Sequence, residues 1–421
     1  MSRKKTSQSK SRSGTVAALD IGSTKICCLI ARTGGDDGPR IVGIGHQASR
    51  GIRSGTVVDM DAAEASIRAA VANAEQMAGE TLRQVTVNVS AGHPRSRLIA
   101  YEVSVAGHEI GEADLRGLTD PQVYLRGEAR DHEIIHSIQV GYTIDGSRGV
   151  KDPRGMFGER LGVNLNLVAA ASGPVRNLES CVARCHLAVE HKVVSAYAAA
   201  LACLAPEERE LGATLIDMGG GATSIAVFFD GDLVHTDAVP VGGWHVTSDI
   251  ARGLSTPPAH AERMKTLYGS ALPSPADDRE TIRVPLIGED EREANQIPRS
   301  VLVGIVRPRL EETFEMVRAK LQAAHLDREA GRRVVLTGGA AQLPGVREMA
   351  ATMLDKQVRL GRPKALPGLA EAVSGPAFAA CVGLLDFTID DRARAEGAAY
   401  RPTEQPTGRL GRIGQWLREH L

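Results

Sequence analysis

The sequence predicts an α/β protein of two related half-domains, with a smaller α+β module inserted in the first. Three observations predict it. First, Leu215-Ile-Asp-Met-Gly-Gly-Gly-Ala-Thr-Ser224 reads as a buried strand ending in an acid, a glycine turn and the start of a second strand that runs to Phe229. Second, the pattern occurs twice. Val16 to Ile30 is again an apolar run, Asp20, an apolar residue, Gly22, small hydroxyl residues and another apolar run. Third, the texture changes over 90–169, where strand-like pieces alternate with polar helix-like pieces and glycine-rich turns.

Taken in order, residues 1–13 carry five positive charges, no acids and almost no apolar residues, and cannot build a core. They read as a solvated basic arm, with extra attraction to an anionic membrane as the alternative. The first half-domain is expected over 14–89 and 170–205. Strands flank the Asp20 turn over 15–31, and 40–47 is a third. Asp59 or Asp61 caps a helix to about Ala78, with Ile67, Val71 and Ala74 on one face. Gln84 to Val89 alternates, with Val85, Val87 and Val89 inward. Inside the insertion, strands are expected at 97–105, 134–142 and 164–168 and a helix at 110–126. Asp131, His132 and His136 read as scattered surface polar residues. A helix over 174–188, a short strand at 192–194 and an Ala-rich helix over 196–204, suited to close packing against a neighbour, complete the half.

The second half-domain is expected over 206–253 and 331–390, interrupted by a subdomain at 254–330. Thr256-Pro-Pro258 is read as the cap of one helix, 282–286 as a strand, and Arg299 to about His325 as a long amphipathic helix. Strand 333–336, a third glycine turn and helices over 345–355 and 375–387 close the domain. Residues 391–408, with Pro402 and Pro406 and no apolar period, read as a linker. Beyond them, helical spacing places Leu410, Ile413, Trp416, Leu417 and Leu421 within an arc of roughly 140°. Arg409, Arg412 and Arg418 give it cationic flanks. This is the pattern of a helix lying in a membrane interface, with Trp416 at headgroup level; a helix packed on its own domain is the alternative.

Composition narrows the function. The 421 residues suffice for two or three domains, and with 3% aromatics the cores must rely on aliphatic residues. A net charge of -1 argues against a nucleic-acid footprint. The six cysteines show no paired metal spacing and read as reduced thiols. No apolar run reaches the 18 residues a membrane span needs.

The chemistry sits in the turns. An acid at a strand end is a poor strand former and a good ligand for a metal or its water. Gly219, Gly220 and Gly221 lack Cβ atoms, so the backbone can turn tightly and aim N–H groups at an anion; alone, such a triplet reads equally as an ordinary hairpin. Thr223 and Ser224 add hydroxyls. The third turn, Val334-Val-Leu-Thr-Gly-Gly-Ala-Ala-Gln-Leu-Pro-Gly345, leads from a strand into a helix. Two Asp-Xaa-Gly turns and this third one suggest two halves closing on one nucleotide; a Walker loop is absent.

Asp20-Ile-Gly-Ser-Thr-Lys25, Asp217-Met-Gly-Gly-Gly221 and Leu336-Thr-Gly-Gly-Ala340 resemble the phosphate 1, phosphate 2 and adenosine motifs of the actin/Hsp70/sugar-kinase superfamily. Within it, the chain resembles the FtsA family of bacterial division proteins over nearly its whole length. The matching features are the insertion, Gly243 through Ile250, the Pro-Pro-x-x-Ala-Glu helix, Leu336 to Gln342 and the final amphipathic segment. The resemblance implies an actin-like fold of duplicated RNase H-like halves, with an SHS2 domain as the insertion. It implies ATP and Mg²⁺ in the cleft, with Asp20 and Asp217 on metal-bound waters. Gly22, Ser23, Thr24, Lys25, Gly219, Gly220, Gly221, Ala222, Thr223, Gly243, Gly338, Gly339, Ala340 and Leu343 would line the nucleotide, and Glu262 and Lys265 would lie near its ribose and adenine. It further implies that the subdomain of the 298–320 helix receives the acidic tail of FtsZ. Arg299, Arg307 and Arg309 are the candidate partners of that tail; a solvated helix face is the alternative. Self-association into actin-like polymers, later division partners on the insertion, and a peripheral place on the cytoplasmic face of the inner membrane at the division site also follow from it.

One departure matters. Hydrolysing relatives often place Glu or Gln near the start of the connecting helix, and Val194-Ser-Ala-Tyr-Ala-Ala199 offers neither. Tight binding with at most slow turnover is therefore expected, with ATP acting as a conformational ligand. The rival readings are a small-molecule kinase of the same fold and another actin-like scaffold, of pilus assembly or cell shape.

Overall fold

The computed structural model describes residues 14–34, 38–119, 131–289, 294–326 and 331–399. The basic arm, residues 400–408 of the expected linker and the 409–421 segment, including Arg409, Leu410, Arg412, Ile413, Trp416, Leu417, Arg418 and Leu421, lie outside the described residues.

The first half begins with β1 (Gly14–Ile21), β2 (Lys25–Thr33) and β3 (Arg40–Ala48), an antiparallel meander. A two-rung hairpin, β4 (Ile52–Arg53) and β5 (Thr56–Val57), leads to α1 (Met60–Ala78). The Asp59 carboxylate accepts from Ala62 N at 3.1 Å and Gly79 ends the helix in the left-handed region, so both caps are sequence-encoded. Strand β6 (Gln84–Val89) pairs parallel to β1.

The insertion follows: β7 (Arg95–Ser104), α2 (Glu112–Thr119), β8 (His132–Ile144), β9 (Ser147–Val150) and β10 (Arg160–Ala171). Its sheet runs β7-β10-β8-β9 and buries Leu161, Val163, Leu165 and Leu167 against Leu115 and Leu118. The chain returns through α3 (Ser172–Arg184), β11 (Ala188–Val194) and α4 (Ser195–Cys203).

The second half contains α5 (Pro206–Leu211), β12 (Ala213–Met218), β13 (Thr223–Phe229), β14 (Asp232–Val239), α6 (Gly243–Gly253) and α7 (Pro258–Tyr268). The β15 (Thr281–Val284) and β16 (Asn295–Pro298) pair and α8 (Arg299–Ala323) precede β17 (Arg333–Thr337), α9 (Val346–Leu354), β18 (Gln357–Leu360) and α10 (Ala379–Ala399). The two large sheets have matching orders, β11-β6-β1-β2-β3 and β18-β17-β12-β13-β14 once the second is read from its other edge. The repeated Asp-Xaa-Gly motif therefore marks a repeated five-stranded unit.

Several expectations need correction. Strand β6 is buried on both faces beyond Gln84, because α10 covers the side opposite Val85 and Val87; Thr388 Oγ1 donates to Thr86 Oγ1 at 2.8 Å. His136 is buried: its Nε2 accepts from Val194 N at 3.0 Å, and burial pulls its pKa down to about 4. Thr256 is not a cap, since Pro257 takes that position and the Thr256 hydroxyl donates to Pro285 O at 2.6 Å. The last helix does not stop at 387. Alanines and charged helix formers carry α10 to Ala399, through the first nine residues read as linker. Arg392 holds it down, with its guanidinium on both Glu190 oxygens at 2.8 and 2.9 Å and on Thr15 O at 3.1 Å.

Helices α4 and α10 cross between the halves. A Cβ at Gly383 would lie 1.7 Å from Ala198 O, so the crossing is as close as backbones allow. The Ala-rich stretch thus packs tightly against a neighbour, as its composition suggests. The insertion also touches the second half. Asn166 Nδ2 donates to Leu233 O at 2.8 Å, and Thr236 N donates to Ser96 Oγ at 2.8 Å.

Candidate nucleotide site

A cleft of about 380 Å³ lies between the halves, at the ends of the two central strands. Strand β1 delivers Asp20 and β12 delivers Asp217, each beside the partner strand that its glycine turn returns. The turns are built alike. Gly22 N donates to Lys25 O at 3.0 Å, and Gly219 N donates to Ala222 O at 3.0 Å. They also meet: a Cβ at Gly220 would lie 2.5 Å from Thr24 Oγ1. Glycine is required there by the opposite half-domain.

Burial raises Asp20 to about 6 and Asp217 to about 7, and the Asp20 charge adds to the rise at Asp217. Lys25 opposes both shifts. Its own pKa is lowered by burial, against the pull of the acids. Its ammonium donates to Ala377 O and stands 3.3 Å from the Phe378 ring centroid. The sequence expected Lys25 to reach a phosphate; here it is held by the turn that starts α10.

The third turn lines the cleft and also braces the second acid. Gly338 has φ +89°, and a Cβ there would lie 2.4 Å from Asp217 Oδ1 and 2.5 Å from Met218 O. It shapes the back of the Asp217 site as well as the cleft. On the far wall, Gly243 N and Trp244 N donate to Gly219 O and Gly220 O at 2.9 and 2.8 Å, fastening α6 to the second turn. Lys265 Nζ donates to Gly243 O at 3.1 Å, Thr247 Oγ1 at 2.9 Å and Glu262 Oε2 at 2.6 Å.

The candidate cofactor and metal residues thus converge on one cleft, with one exception. Thr223 is fully buried, and its hydroxyl donates to Val241 O at 2.8 Å, away from the cleft. The three arginines are not free cations. Arg299 holds Asp277 at 2.9 Å and Glu280 at 3.2 Å, Arg307 holds Glu311 at 2.7 Å, and Arg309 holds Asp249 at 2.5 Å and also Glu312.

Sequence reasoning missed Asn88, Ser195 and Gly55. Asn88 Oδ1 accepts from Ile21 N at 2.7 Å and its Nδ2 donates to Ser195 Oγ at 3.2 Å, tying the end of β1 to the start of α4. Its signal was an amide inside the buried part of a strand, 85–89, otherwise made of valines and Thr86. Gly55 N donates to Ser23 Oγ at 2.9 Å, so the β4–β5 hairpin closes over the first turn.

The donor set suits a nucleotide with a divalent cation. Two facing carboxyls in a desolvated cleft stay partly protonated until a cation takes the proton's place, and glycine turns leave room for phosphates above them. Among the described residues no cluster of three or more His, Cys, Asp or Glu can hold a metal by itself, so a cation here would rest on two carboxylates together with waters and phosphates.

Comparison with known proteins decides the family. The chain is 45% identical to the cell division protein FtsA of Agrobacterium fabrum, over 98% of this chain and 96% of that one.

The chain belongs to the FtsA family of cell division proteins.

Its likeness to the FtsA of Pseudomonas aeruginosa is 34%, and to that of Escherichia coli 31%, each over 96% of this chain and, in that order, 97% and 98% of the relative. A family model described as cell division protein FtsA matches 214–383, and one described as the SHS2 domain inserted in FtsA matches 91–169. The fold is actin-like. A PilM–PilN type IV pilus biogenesis complex aligns at TM-score 0.60 and 16% identity over 89% of this chain and 98% of that one. MreB5 of Spiroplasma citri bound to AMPPNP aligns at 0.51 and 13% over 91% and 98%. The SHS2 match makes residues 91–169 the insertion of FtsA-family proteins.

Proposed function

We propose that this FtsA-family protein binds ATP with Mg²⁺ in the cleft and tethers FtsZ filaments to the cytoplasmic face of the inner membrane, as part of the septal ring. The observation that carries the nucleotide reading is the convergence of Asp20 and Asp217, from duplicated turns, on one desolvated cleft. Mg²⁺ would supply positive charge against the phosphates, held through waters on these two carboxylates. The two glycine turns with Ser23 and Thr24 would cradle the phosphates, while Glu262 and Lys265 would face ribose and base. Lys25 would exchange the Ala377 carbonyl for a phosphate oxygen.

Turnover should be slow. The start of α4 contributes only the Ser195 hydroxyl, and the nearby Asn88 amide is already bound to Ser195 and Ile21. With no Glu or Gln at the start of α4 to activate water, the nucleotide acts by holding the halves together.

For the FtsZ tail, the arginines of α8 remain the docking reading, but each must exchange an internal carboxylate for the partner's. Arg307, the most exposed of the three, gives up least. Among the described residues no helix is long and apolar enough to cross a membrane; the amphipathic, arginine-flanked pattern of 409–421 is what supports attachment there. The SHS2 insertion is the surface for neighbouring protomers of an actin-like polymer and for later division proteins.

Co-sedimentation of the purified chain with FtsZ and anionic liposomes, with and without ATP and Mg²⁺, tests the whole reading. FtsZ is expected in the liposome pellet only with this protein, and more of it with nucleotide. FtsZ left in the supernatant under all conditions overturns the tether.

A further inference from the structure

A second cavity, of about 500 Å³, lies where the insertion, both halves and the crossing helices α4 and α10 meet. Its size is that of a ligand pocket, and junctions between domains are where such pockets form. In a chain with 3% aromatic residues, three rings gather at its wall. Tyr197 lies 6.0 Å from Phe228, nearly stacked, and 6.2 Å from Phe387, edge to face. The lining is also acidic. Asp232, Asp390 and Asp391 outnumber Arg209 and Arg394, and His136 adds no charge. Around Asp232, burial raises its pKa; Lys151 and Arg394 oppose the rise while Asp230 and Glu210 add to it, so acids outnumber bases there as well. Aromatic faces beside carboxylates suit an occupant that is both apolar and cationic.

One such segment begins close by. Helix α10 lines the cavity with Phe387, Asp390, Asp391 and Arg394 and is described to Ala399. Because α10 runs so far, the tether to Arg409 is residues 400–408, half the expected length. Nine extended residues span about 30 Å, whereas Phe387 and Ala399 are about 18 Å apart along the helix. The tether therefore reaches back to the cavity. Segment 409–421 carries Arg409, Arg412 and Arg418 beside Leu410, Ile413, Trp416 and Leu417, the complement of an acidic, aromatic wall.

We propose that residues 409–421 dock at the mouth of this cavity when the protein is off the membrane, with only Trp416 entering it, against Tyr197 and Phe387, and the arginines toward Asp390 and Asp232. Lipid and the cavity then compete for one amphipathic segment. The competition rests on the anchoring reading above; the docking itself does not need lipid. Such a contact keeps an apolar face covered in the cytosol and makes release from the cavity a step in recruitment.

The test uses the full chain with Trp244→Phe, which leaves Trp416 as the only tryptophan. Without lipid, its emission is expected to be blue-shifted and protected from acrylamide. Asp390→Arg, an exposed change at the cavity mouth, should raise quenching several-fold, and so should Tyr197→Leu. With vesicles of phosphatidylglycerol and phosphatidylethanolamine, Asp390→Arg should raise the bound fraction. Equal, solvent-like quenching in the parent and in Asp390→Arg overturns the docking. If no variant binds vesicles, the anchoring reading fails, and the lipid-free quenching still decides the docking.

Discussion

Gly221 of the second half meets Ser23 of the first across the cleft: a Cβ on Gly221 would lie 2.5 Å from Ser23 Oγ and 2.7 Å from Ser54 Cα. The two glycine turns and the tip of the β4–β5 hairpin therefore occupy one another's space. Gly221→Val is expected to wedge the halves apart at the phosphate end. Each half keeps its core, so circular dichroism should stay near the parent. Affinity for a fluorescent ATP analogue should fall by at least about tenfold, an effect of ~1.4 kcal/mol. Unchanged affinity would mean that the contact is not part of the nucleotide-holding state.

The paired acids predict how stability depends on pH without nucleotide. Asp20 and Asp217 have folded pKa values of about 6 and about 7, above their ordinary 3.8. A carboxyl with a raised folded pKa binds its proton better folded than unfolded. Its contribution is full below the unfolded value and is lost as pH rises through the folded one. Unfolding free energy should thus fall by a few kcal/mol between about pH 4 and pH 7. Asp217→Asn should flatten the fall, and Mg²⁺ with nucleotide should restore stability at neutral pH. Urea melts at several pH values read this directly.

Asn88 joins two chain segments at the floor of the cleft. Asn88→Leu leaves the buried Ile21 N–H without its acceptor, at a cost of about 1–3 kcal/mol. It also frees the Ser195 hydroxyl at the head of α4. A lower melting temperature is expected, together with faster release of bound nucleotide in stopped-flow chase. Asn88→Asp keeps the acceptor for Ile21 N and should recover part of the stability but not the slow release, since it loses the donor to Ser195.

These effects show which parts of the site a sequence can carry. The Asp-Xaa-Gly turns are local: strand, acid and glycine lie within ten residues, and the repeat of one turn by the other supplies the fold. Asn88 was hidden because its partners, Ile21 and Ser195, are 67 and 107 residues away. Gly338 was legible as a cleft glycine, but its positive φ and its approach to Asp217 were not, because they depend on the β12–β17 pairing. The arginines of α8 looked available because their acids come partly from other elements, Asp277 and Asp249. The end of α10 was misplaced for a similar reason: its anchor, Glu190, lies on β11. Period and turn chemistry are written locally; which face a neighbour covers, and which charge it cancels, is set by tertiary pairing.

The proposed membrane segment, 409–421, gives the sharpest separation of binding from anchoring. At helical spacing, Leu410, Ile413, Trp416, Leu417 and Leu421 would share one face, with Arg409, Arg412 and Arg418 on its flanks. Gly411 and Gly414 each cost about 1 kcal/mol of helix stability, so the segment should gain helix only when its apolar face finds lipid. One Trp and a few aliphatic residues give modest affinity, which anionic lipid and polymerisation should both raise, the latter by multiplying segments per particle. Trp416→Glu puts a charge at the acyl boundary and should move the protein from the liposome pellet to the supernatant. ATP affinity should not change, because the cleft is built by residues 20–380. A synthetic 409–421 peptide should gain helical circular dichroism on phosphatidylglycerol vesicles, and its Trp416→Glu counterpart should not. Equal pelleting of the parent and Trp416→Glu, with no helix gain by the peptide, would assign membrane attachment to another part of the chain.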